Sequence, residues 1–184
     1  SVTGVQTCAL PISHRGRTVP LEGGGWVDED SLRTARETVS HSTDTPNWGN
    51  PVGFEKDVFT FARIKFYSQT TTMRFQGYGG RLSWWVDYPD ADLNLSYRLQ
   101  QLTTIRTDPD GRVLFLDDPD LTDFPFVFMS HPENMVLDEA EIRALRNYLT
   151  NGGVLVMIDL WNEEGWRKFA AQIARVLPNR TWTD

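Results

Sequence analysis

The sequence predicts an α/β protein with three layers, in which a mostly parallel sheet carries helices on both faces. Two observations lead to this fold class. Within residues 57–184, segments of strand composition alternate with amphipathic segments in the order β-α-β-β-α-β-α. The later strand segments are also apolar without alternation, which is typical of parallel strands that are covered on both sides.

The first half of this region supplies a strand, a helix and a second strand. "EKDVFTFARIKFYS" is rich in aromatic and β-branched residues and predicts a mostly buried strand. In the helix that follows, Asp90 or Asp92 is placed to cap the amino end. Leu95, Leu99 and Leu102 recur at helical spacing and share one apolar face. "DPDG" then predicts a type I turn before the short strand "RVLFL".

The second half supplies two apolar strands, "FPFVFM" and "VLVMI", each connected to a helix. In the first helix, Asp138 is the predicted cap, Glu141 holds the capping-box position, and Gly152 and Gly153 end the element. "EGWRKFAAQIARVL" predicts the last helix. The residues expected on the buried faces of these two helices are Ile142, Leu145, Leu149, Trp166, Phe169, Ile173 and Val176 or Leu177.

The composition is that of a soluble globular domain and excludes two classes of function. Hydrophobic residues make up 40% of the chain, and no apolar run is long enough to cross a bilayer. The net charge is −7 and no basic cluster occurs, which argues against nucleic acid as a partner. The partners that remain are a small molecule, a carbohydrate or another protein.

The amino-terminal part is set apart from the α/β domain. We interpret residues 1–13 as a sequencing-adapter or assembly scar without a role in folding, and they contain the only cysteine, Cys8. Residues 14–56 are rich in polar and turn-forming residues and predict a loosely ordered segment with one short helix around Asp30 to Val39. Residues 57–184 form the predicted α/β domain.

The candidate site follows from the fold, because ligands of open α/β sheets bind beyond the carboxyl ends of the strands. Four predicted loops would meet at that edge, giving an acidic surface with aromatic walls and one histidine. The polar and aromatic residues in these loops are Trp84, Trp85, Asp87, Asp90, Asp92, Asn94, Asp117, Asp118, Ser130, His131, Glu133, Asp159, Trp161, Asn162 and Glu163.

Three functions are compatible with this edge. The first is metal-assisted hydrolysis and the second is carboxylate acid/base catalysis on a sugar, both with catalytic candidates Asp87, Asp92, His131 and Asp159. The third, which we favour, is a ligand-binding or interaction module without chemistry. The sequence contains no HExxH, GxSxG or Walker A motif, and it specifies neither a cofactor nor a metal. The candidate ligand-binding residues are Trp84, Trp85, Asp90, Asn94, Glu133 and Trp161.

Structural roles compete with these functional ones. Asp90 or Asp92 is expected to be a helix cap, and Asp117 and Asp118 are typical turn formers. Asp159 is different, because a carboxylate directly after a buried strand needs a hydrogen-bonding or charged partner unless it has a functional role. We expect it at the carboxyl end of a central strand, facing the loop Trp85 to Asp92.

Four segments together resemble the bacterial family DUF4159, a domain of unknown function. They are "DVFTFARIKF", "WWVDYPDADLNLSYRLQQLT", "TDFPFVFMSHPENMVLDEAEIRALRNYLTNGG" and "VLVMIDLW", and the second is the most specific. The family is similar to the class I glutamine amidotransferase-like fold, in outline close to the trehalose-utilisation family. This resemblance implies a flavodoxin-like sheet, a domain that is truncated at its carboxyl end, and a periplasmic or extracytoplasmic location, with the cytoplasm as the alternative.

The resemblance also bears on the chemistry. In amidotransferases a nucleophilic cysteine lies on a strand-to-helix elbow, and the matching elbow here, Ile158 to Asn162, holds Asp159 instead. The amidotransferase reaction is therefore not expected. At this elbow, members of the family that the chain resembles usually have the sequence "VDDFWG". Asp159 and Trp161 match this pattern, whereas Ile158 and Asn162 depart from it.

Overall fold

The computed structural model describes residues 18–40, 44–54, 57–67 and 84–183. The segment interpreted as a scar, with Cys8, lies outside the described residues. The first described elements are two short antiparallel strands, β1 (Thr18–Pro20) and β2 (Trp26–Asp28).

A four-stranded parallel sheet forms the centre of the molecule. Its strands are β3 (Ala62–Ile64), β4 (Arg112–Leu114), β5 (Phe126–Ser130) and β6 (Val154–Ile158). They lie in the order β4-β3-β5-β6, and every pair is parallel. The carboxyl ends of all four strands therefore meet at one edge of the sheet.

Three helices connect and follow these strands: α1 (Asp90–Leu102), α2 (Glu139–Thr150) and α3 (Glu163–Val176). The units β3-α1-β4 and β5-α2-β6 progress in opposite directions along the sheet. Because such crossovers are right-handed, α1 and α2 lie on opposite faces. The predicted element order and the three-layer α/β class are confirmed, and the architecture is compatible with a flavodoxin-like fold.

Helices α2 and α3 follow their sequence signals closely. Asp138 accepts hydrogen bonds from the amides of Ala140 and Glu141, and Glu141 accepts one from the Asp138 amide, which completes the capping box. Gly152 ends α2 with φ of 95°, a conformation that glycine adopts without strain. The expected inward residues that the structure buries are Ile142, Leu145, Phe169, Ile173 and Val176.

Helix α1 is turned differently from the prediction. Leu95 and Leu102 are 52% and 80% exposed, whereas Leu93 and Ser96 are buried. The helix begins after Pro89 without a side-chain cap, so the expectation that an aspartate caps it is wrong. The physical reason for both differences is a tertiary hydrogen bond in the first turn, from Arg63 on β3 to Asp92. This bond turns the helix face that carries Asp92 toward the sheet.

Strand β6 lies at the edge of the described sheet, not at its centre. Leu155 and Met157 pack against the core, while Val154 and Ile158 are 51% and 41% exposed. The apolar composition of this strand therefore does not mean burial on both faces. The expectation that Asp159 follows a central strand is wrong for the same reason.

The described part of the amino-terminal segment packs on the domain. Val19, Leu32 and Ala35 belong to the hydrophobic core. In place of a helix over residues 30–39, the chain forms one 3-10 turn at Glu29–Ser31. The Glu37 carboxylate accepts hydrogen bonds from the amides at positions 33 and 34, and such side-chain bonds compete with helix formation.

Candidate functional site

The carboxyl edge of the sheet contains two separate groups of polar residues. We call the first the Arg63 network, consisting of Arg63, Asp92 and the carbonyls of residues 84 and 86. We call the second the His131 cluster, consisting of Ser130, His131, Glu133 and Asp159. Both follow strands of the same sheet, but their hydrogen bonding differs.

In the Arg63 network, a guanidinium on β3 connects the sheet to α1. Arg63 Nε lies 3.0 and 2.9 Å from the two carboxylate oxygens of Asp92, and Nη2 donates to the same carboxylate. Nη1 donates to the carbonyls of Trp84 at 2.9 Å and Val86 at 3.2 Å. Arg63 therefore fixes both the start of α1 and the loop that precedes it.

This pair is withdrawn from solvent. The side chains of Arg63 and Asp92 are 1% and 2% exposed, and the guanidinium carbon lies 4.9 Å from the ring centre of Phe128. Burial raises the pKa of Asp92, while the charge and the hydrogen bonds of Arg63 oppose that shift. Since the bonds of both groups are used within the protein, Asp92 is not free to act on a ligand.

The aromatic residues of the preceding loop pack against one another. Trp84 and Tyr88 are 3% and 0% exposed, and Trp85 makes ring contacts with both at 5.2 and 4.9 Å. The Tyr88 hydroxyl donates to the carbonyl of Thr34. Trp84 is therefore part of the core, and Trp85 is partly buried against it.

Lys65, directly after β3, is a further buried cation, and it was not among the predicted site residues. Its Nζ donates to the carbonyls of Asp30 at 2.6 Å and Leu32 at 3.0 Å, and it lies 4.4 Å from the ring centre of Phe115. Burial, with the charge of Arg33 second, lowers the pKa of Lys65 to about 8. A signal existed in "FARIKF": two cations two positions apart in a buried strand share one face and need partners there.

The other acidic candidates near α1 have different surroundings. Asp90 accepts a hydrogen bond from the Ser40 hydroxyl, and its carbonyl accepts one from Asn94. Asp87 is exposed and has a left-handed backbone with φ of 58°. In the turn after β4, Asp118 accepts from the Phe115 amide, which confirms its role as a turn former.

The His131 cluster lies where β5 and β6 end. His131 Nδ1 is 3.4 Å from Glu133 Oε1, and His131 Nε2 is 3.8 Å from Asp159 Oδ2. The Ser130 hydroxyl donates to the same Asp159 oxygen at 3.1 Å. One imidazole therefore lies between two carboxylates that belong to different loops.

Local backbone structure holds these side chains in place. His131 and Asp159 both have left-handed backbones, with φ of 50° and 65°. The His131 amide donates to the carbonyl of Ile158 at 3.2 Å, which joins the two loops. Glu133 lies in the turn Pro132–Asn134 and packs on α3, so closely that a Cβ at Gly165 would lie 3.1 Å from the Glu133 Cβ.

The cluster is only partly satisfied by the protein. Glu133 Oε2 is buried, and no residue in the described part of the chain forms a hydrogen bond with it. The Asp159 side chain is 25% exposed, so one side of the cluster is open to solvent. Trp161, two residues further on, is 74% exposed. An open edge with unused acceptors is the kind of surface to which a ligand can add donors.

The structure separates the four catalytic candidates. His131 and Asp159 come together, whereas no hydrogen bond or ion pair within the described residues joins Asp87 or Asp92 to either of them. Asp159 contacts Ser130 and His131, so the expectation that it faces the loop Trp85 to Asp92 is wrong. Across the described ranges, no group of three or more histidines, cysteines or acidic residues is arranged to hold a metal ion.

A cavity of about 410 Å³ lies at the opposite, amino edge of the sheet. Phe54, Phe59, Ile105 and Arg106 are among its lining residues, and the Arg106 guanidinium lies over the Phe54 ring. This edge was not predicted as a site, because the rule for α/β sheets selects the carboxyl ends of the strands.

Comparison with known proteins identifies the family of this chain. No helix among the described residues is long and apolar enough to cross a membrane. No curated protein matches the chain. The sequence profile of a domain of unknown function, DUF4159, matches residues 65–184, which include every loop of the carboxyl edge and more than half of the chain. The chain therefore belongs to the DUF4159 family.

Proposed function

We propose that this protein is a ligand-binding domain that holds a small polar molecule at the His131 cluster. One observation carries the proposal: His131 Nε2 faces Asp159 at 3.8 Å, beyond hydrogen-bond distance, at the open side of the sheet edge. A polar group between these atoms would complete a bonding pattern that the protein leaves open.

The neighbouring Arg63 network supports this choice by contrast. Its carboxylate already has a bidentate partner and is shielded from solvent, so a ligand would have to break a buried ion pair to reach it. The His131 cluster requires no such cost, since Asp159 is partly exposed and its neighbours are in place. Trp161 offers an exposed aromatic surface close by in the chain.

We further infer that the fold is a divergent form of the class I glutamine amidotransferase-like fold. The support is the elbow between β6 and α3, where Asp159 adopts a left-handed backbone at a sharp strand-to-helix turn. A carboxylate at that position cannot act as the thiolate nucleophile of an amidotransferase, and residues 14–184 contain no cysteine. Binding is therefore a better proposal for this elbow than amide transfer.

Protein-observed NMR with a library of small polar fragments tests the proposal. We expect hits to shift the amide resonances of Ser130 to Glu133 and Asp159 to Asn162. Asp159→Asn should weaken these hits by at least about fivefold, roughly 1 kcal/mol. The matched control is Asp123→Asn, the same charge change on an exposed turn at the amino edge. Hits confined to the cavity near Phe54 and Arg106 would overturn the proposal.

A hydrolase is the second candidate, because an imidazole held between two carboxylates is suited to act as a general base. A panel of chromogenic esters and phosphoesters tests it. The hydrolase predicts turnover that His131→Gln abolishes and Asp123→Asn leaves unchanged. Absence of turnover across the panel, with fragment binding intact, would favour the binding domain.

A further inference from the structure

We propose that the cavity at the amino edge of the sheet binds a free amino acid with an apolar side chain. This site goes beyond the proposed function, because it lies at the edge opposite the His131 cluster and shares no residue with it. Its volume of about 410 Å³ is within the range of small-molecule sites in proteins. The class of ligand follows from the charges of the cavity, its apolar surfaces and its backbone support.

Two opposite charges line the cavity without pairing with each other. Arg106 contributes a guanidinium and Asp57 a carboxylate. Among the described residues, neither side chain forms an ion pair or a hydrogen bond. Two separated charges of opposite sign match a zwitterion, whose carboxylate accepts hydrogen bonds from the guanidinium while its ammonium group donates to the carboxylate. A simple anion or cation would leave one of the two protein charges without a partner.

Apolar side chains form the walls next to these charges. Phe54 and Ile105 line the cavity and are 48% and 47% exposed, and Val58 and Phe59 line it with partly buried side chains. The Arg106 guanidinium carbon lies 5.6 Å from the ring centre of Phe54, so charge and apolar surface are adjacent. An apolar ligand side chain would remove these walls from water, which favours leucine or phenylalanine over glycine.

The backbone on both sides of the cavity is held by hydrogen bonds. The Phe59 amide donates to the Arg106 carbonyl at 2.8 Å. Asn50 Nδ2 donates to the Thr107 carbonyl at 2.8 Å, which ties the segment before Phe54 to the segment that contains Arg106. Because the walls are already in place, a ligand does not have to order them on binding.

A titration of the ¹⁵N-labelled full chain with L-leucine tests the site. We expect saturable shifts of the amide resonances of residues 57–59 and 104–107. Three analogues each lack one recognised group: N-acetyl-L-leucine the ammonium, L-leucinamide the carboxylate and glycine the side chain. Each should bind at least about tenfold more weakly than leucine, roughly 1.4 kcal/mol. Absence of saturable shifts, or equal affinity for leucine and any of the three analogues, would overturn the proposal.

Variants of the two charged residues test the same site independently. Arg106→Gln and Asp57→Asn each remove one charge from an exposed position, so both variants should fold. Each should weaken leucine binding at least about fivefold, since a charge-assisted hydrogen bond is lost. The matched controls are Arg143→Gln on α2 and Asp117→Asn in the turn after β4, both exposed, and they should leave the Kd unchanged. Unchanged affinity in Arg106→Gln or Asp57→Asn would contradict the site.

The result is separable from that of the proposed function, because the two sites lie at opposite edges. Shifts at residues 104–107 that weaken in Arg106→Gln and persist in Asp159→Asn would support the cavity site. Leucine-induced shifts confined to Ser130 to Glu133 would overturn it and leave the His131 cluster as the binding site.

Discussion

The Arg63 network and the His131 cluster lie at one edge of the sheet and differ in whether the protein itself already pairs their carboxylate. Asp92 lies in the first turn of α1, the helix that connects β3 to β4, and Asp159 directly follows β6. Asp92 has a guanidinium partner, and its side chain is 2% exposed, whereas Asp159 has a hydroxyl and a distant imidazole and is 25% exposed. The comparison teaches that position at the edge does not define a site, since a carboxylate becomes available to ligands only where the protein has not already paired it.

The largest effect is expected where the paired region is broken. Asp92→Ala should lower the free energy of unfolding by about 3–5 kcal/mol, because it leaves the buried guanidinium of Arg63 without a counter-charge. Urea unfolding monitored by tryptophan fluorescence measures the loss. The double variant Arg63→Met with Asp92→Leu is the control and should recover most of the stability, since no buried charge is then left unpaired. A loss below about 1 kcal/mol for Asp92→Ala would show that the pair does not hold α1.

Glu141 sharpens the comparison, because it is a buried carboxylate that forms no ion pair with any described cation. Burial raises its pKa to about 7, and the Asp138 amide bond opposes the shift. Between pH 4.5 and 7 the folded state keeps the proton of Glu141, whereas the unfolded chain loses it. The contribution of protonated Glu141 to the free energy of unfolding is therefore fully present below pH 4.5 and is lost as the pH rises through 7. The total amounts to about 3 kcal/mol at 1.36 kcal/mol per pKa unit.

Urea unfolding at pH 5 to 8 measures this dependence. Glu141→Gln keeps an acceptor for the Asp138 amide and should remove the decline, so the stability difference between variant and unmodified chain should grow with pH. Parallel pH profiles for the two proteins would contradict the raised pKa.

Lys65 is the complementary case, a buried cation beside the Arg63 network. Its folded-state pKa of about 8 lies below the ordinary 10.5. The unfolded chain holds the proton of Lys65 at higher pH than the folded chain does. The contribution of neutral Lys65 to the free energy of unfolding is therefore full above pH 10.5 and is lost as the pH falls through 8. Between pH 8 and 9.5 stability should rise by about 2 kcal/mol. A neutral amine can still donate to the carbonyls of Asp30 and Leu32.

Lys65→Met is the control for that rise and should be insensitive to pH in the same window. The scan ends below pH 10, because burial raises the pKa values of Tyr67 and Tyr88, and ionisation of tyrosine in the unfolded chain then acts in the opposite direction. A flat profile for the unmodified chain would mean that Lys65 remains charged in the folded state.

The sequence predicts the features of this fold that depend on local signals. The capping box at Asp138 and Glu141 is encoded within four consecutive residues, and each apolar strand is encoded within its own short segment. The parallel sheet follows from the alternation of these strands with helices. The rotation of α1 was not predictable from its leucine spacing, because the deciding bond joins Asp92 to a residue on another element. The edge position of β6 depends on strand order, which a local pattern does not contain.

The candidate site was predictable only in outline. The rule for parallel sheets selects the loops that contain His131 and Asp159, but it does not say which loops touch. Their contact depends on the pairing of β5 with β6 and on the left-handed backbone conformation of two residues, which no sequence motif predicts. The same rule selected Asp92 equally, because the need of Arg63 for a partner becomes visible only when the packing is known.

The smallest effect is expected at the open cluster. Asp159→Asn should change the free energy of unfolding by less than about 1 kcal/mol, because the amide oxygen can still accept from Ser130 and the side chain is partly solvated. Asp123→Asn should stay within about 0.5 kcal/mol. Urea unfolding of both variants beside Asp92→Ala gives the comparison directly. If Asp159→Asn cost as much as Asp92→Ala, Asp159 would be a structural anchor like Asp92, and the proposed binding site would lose its basis.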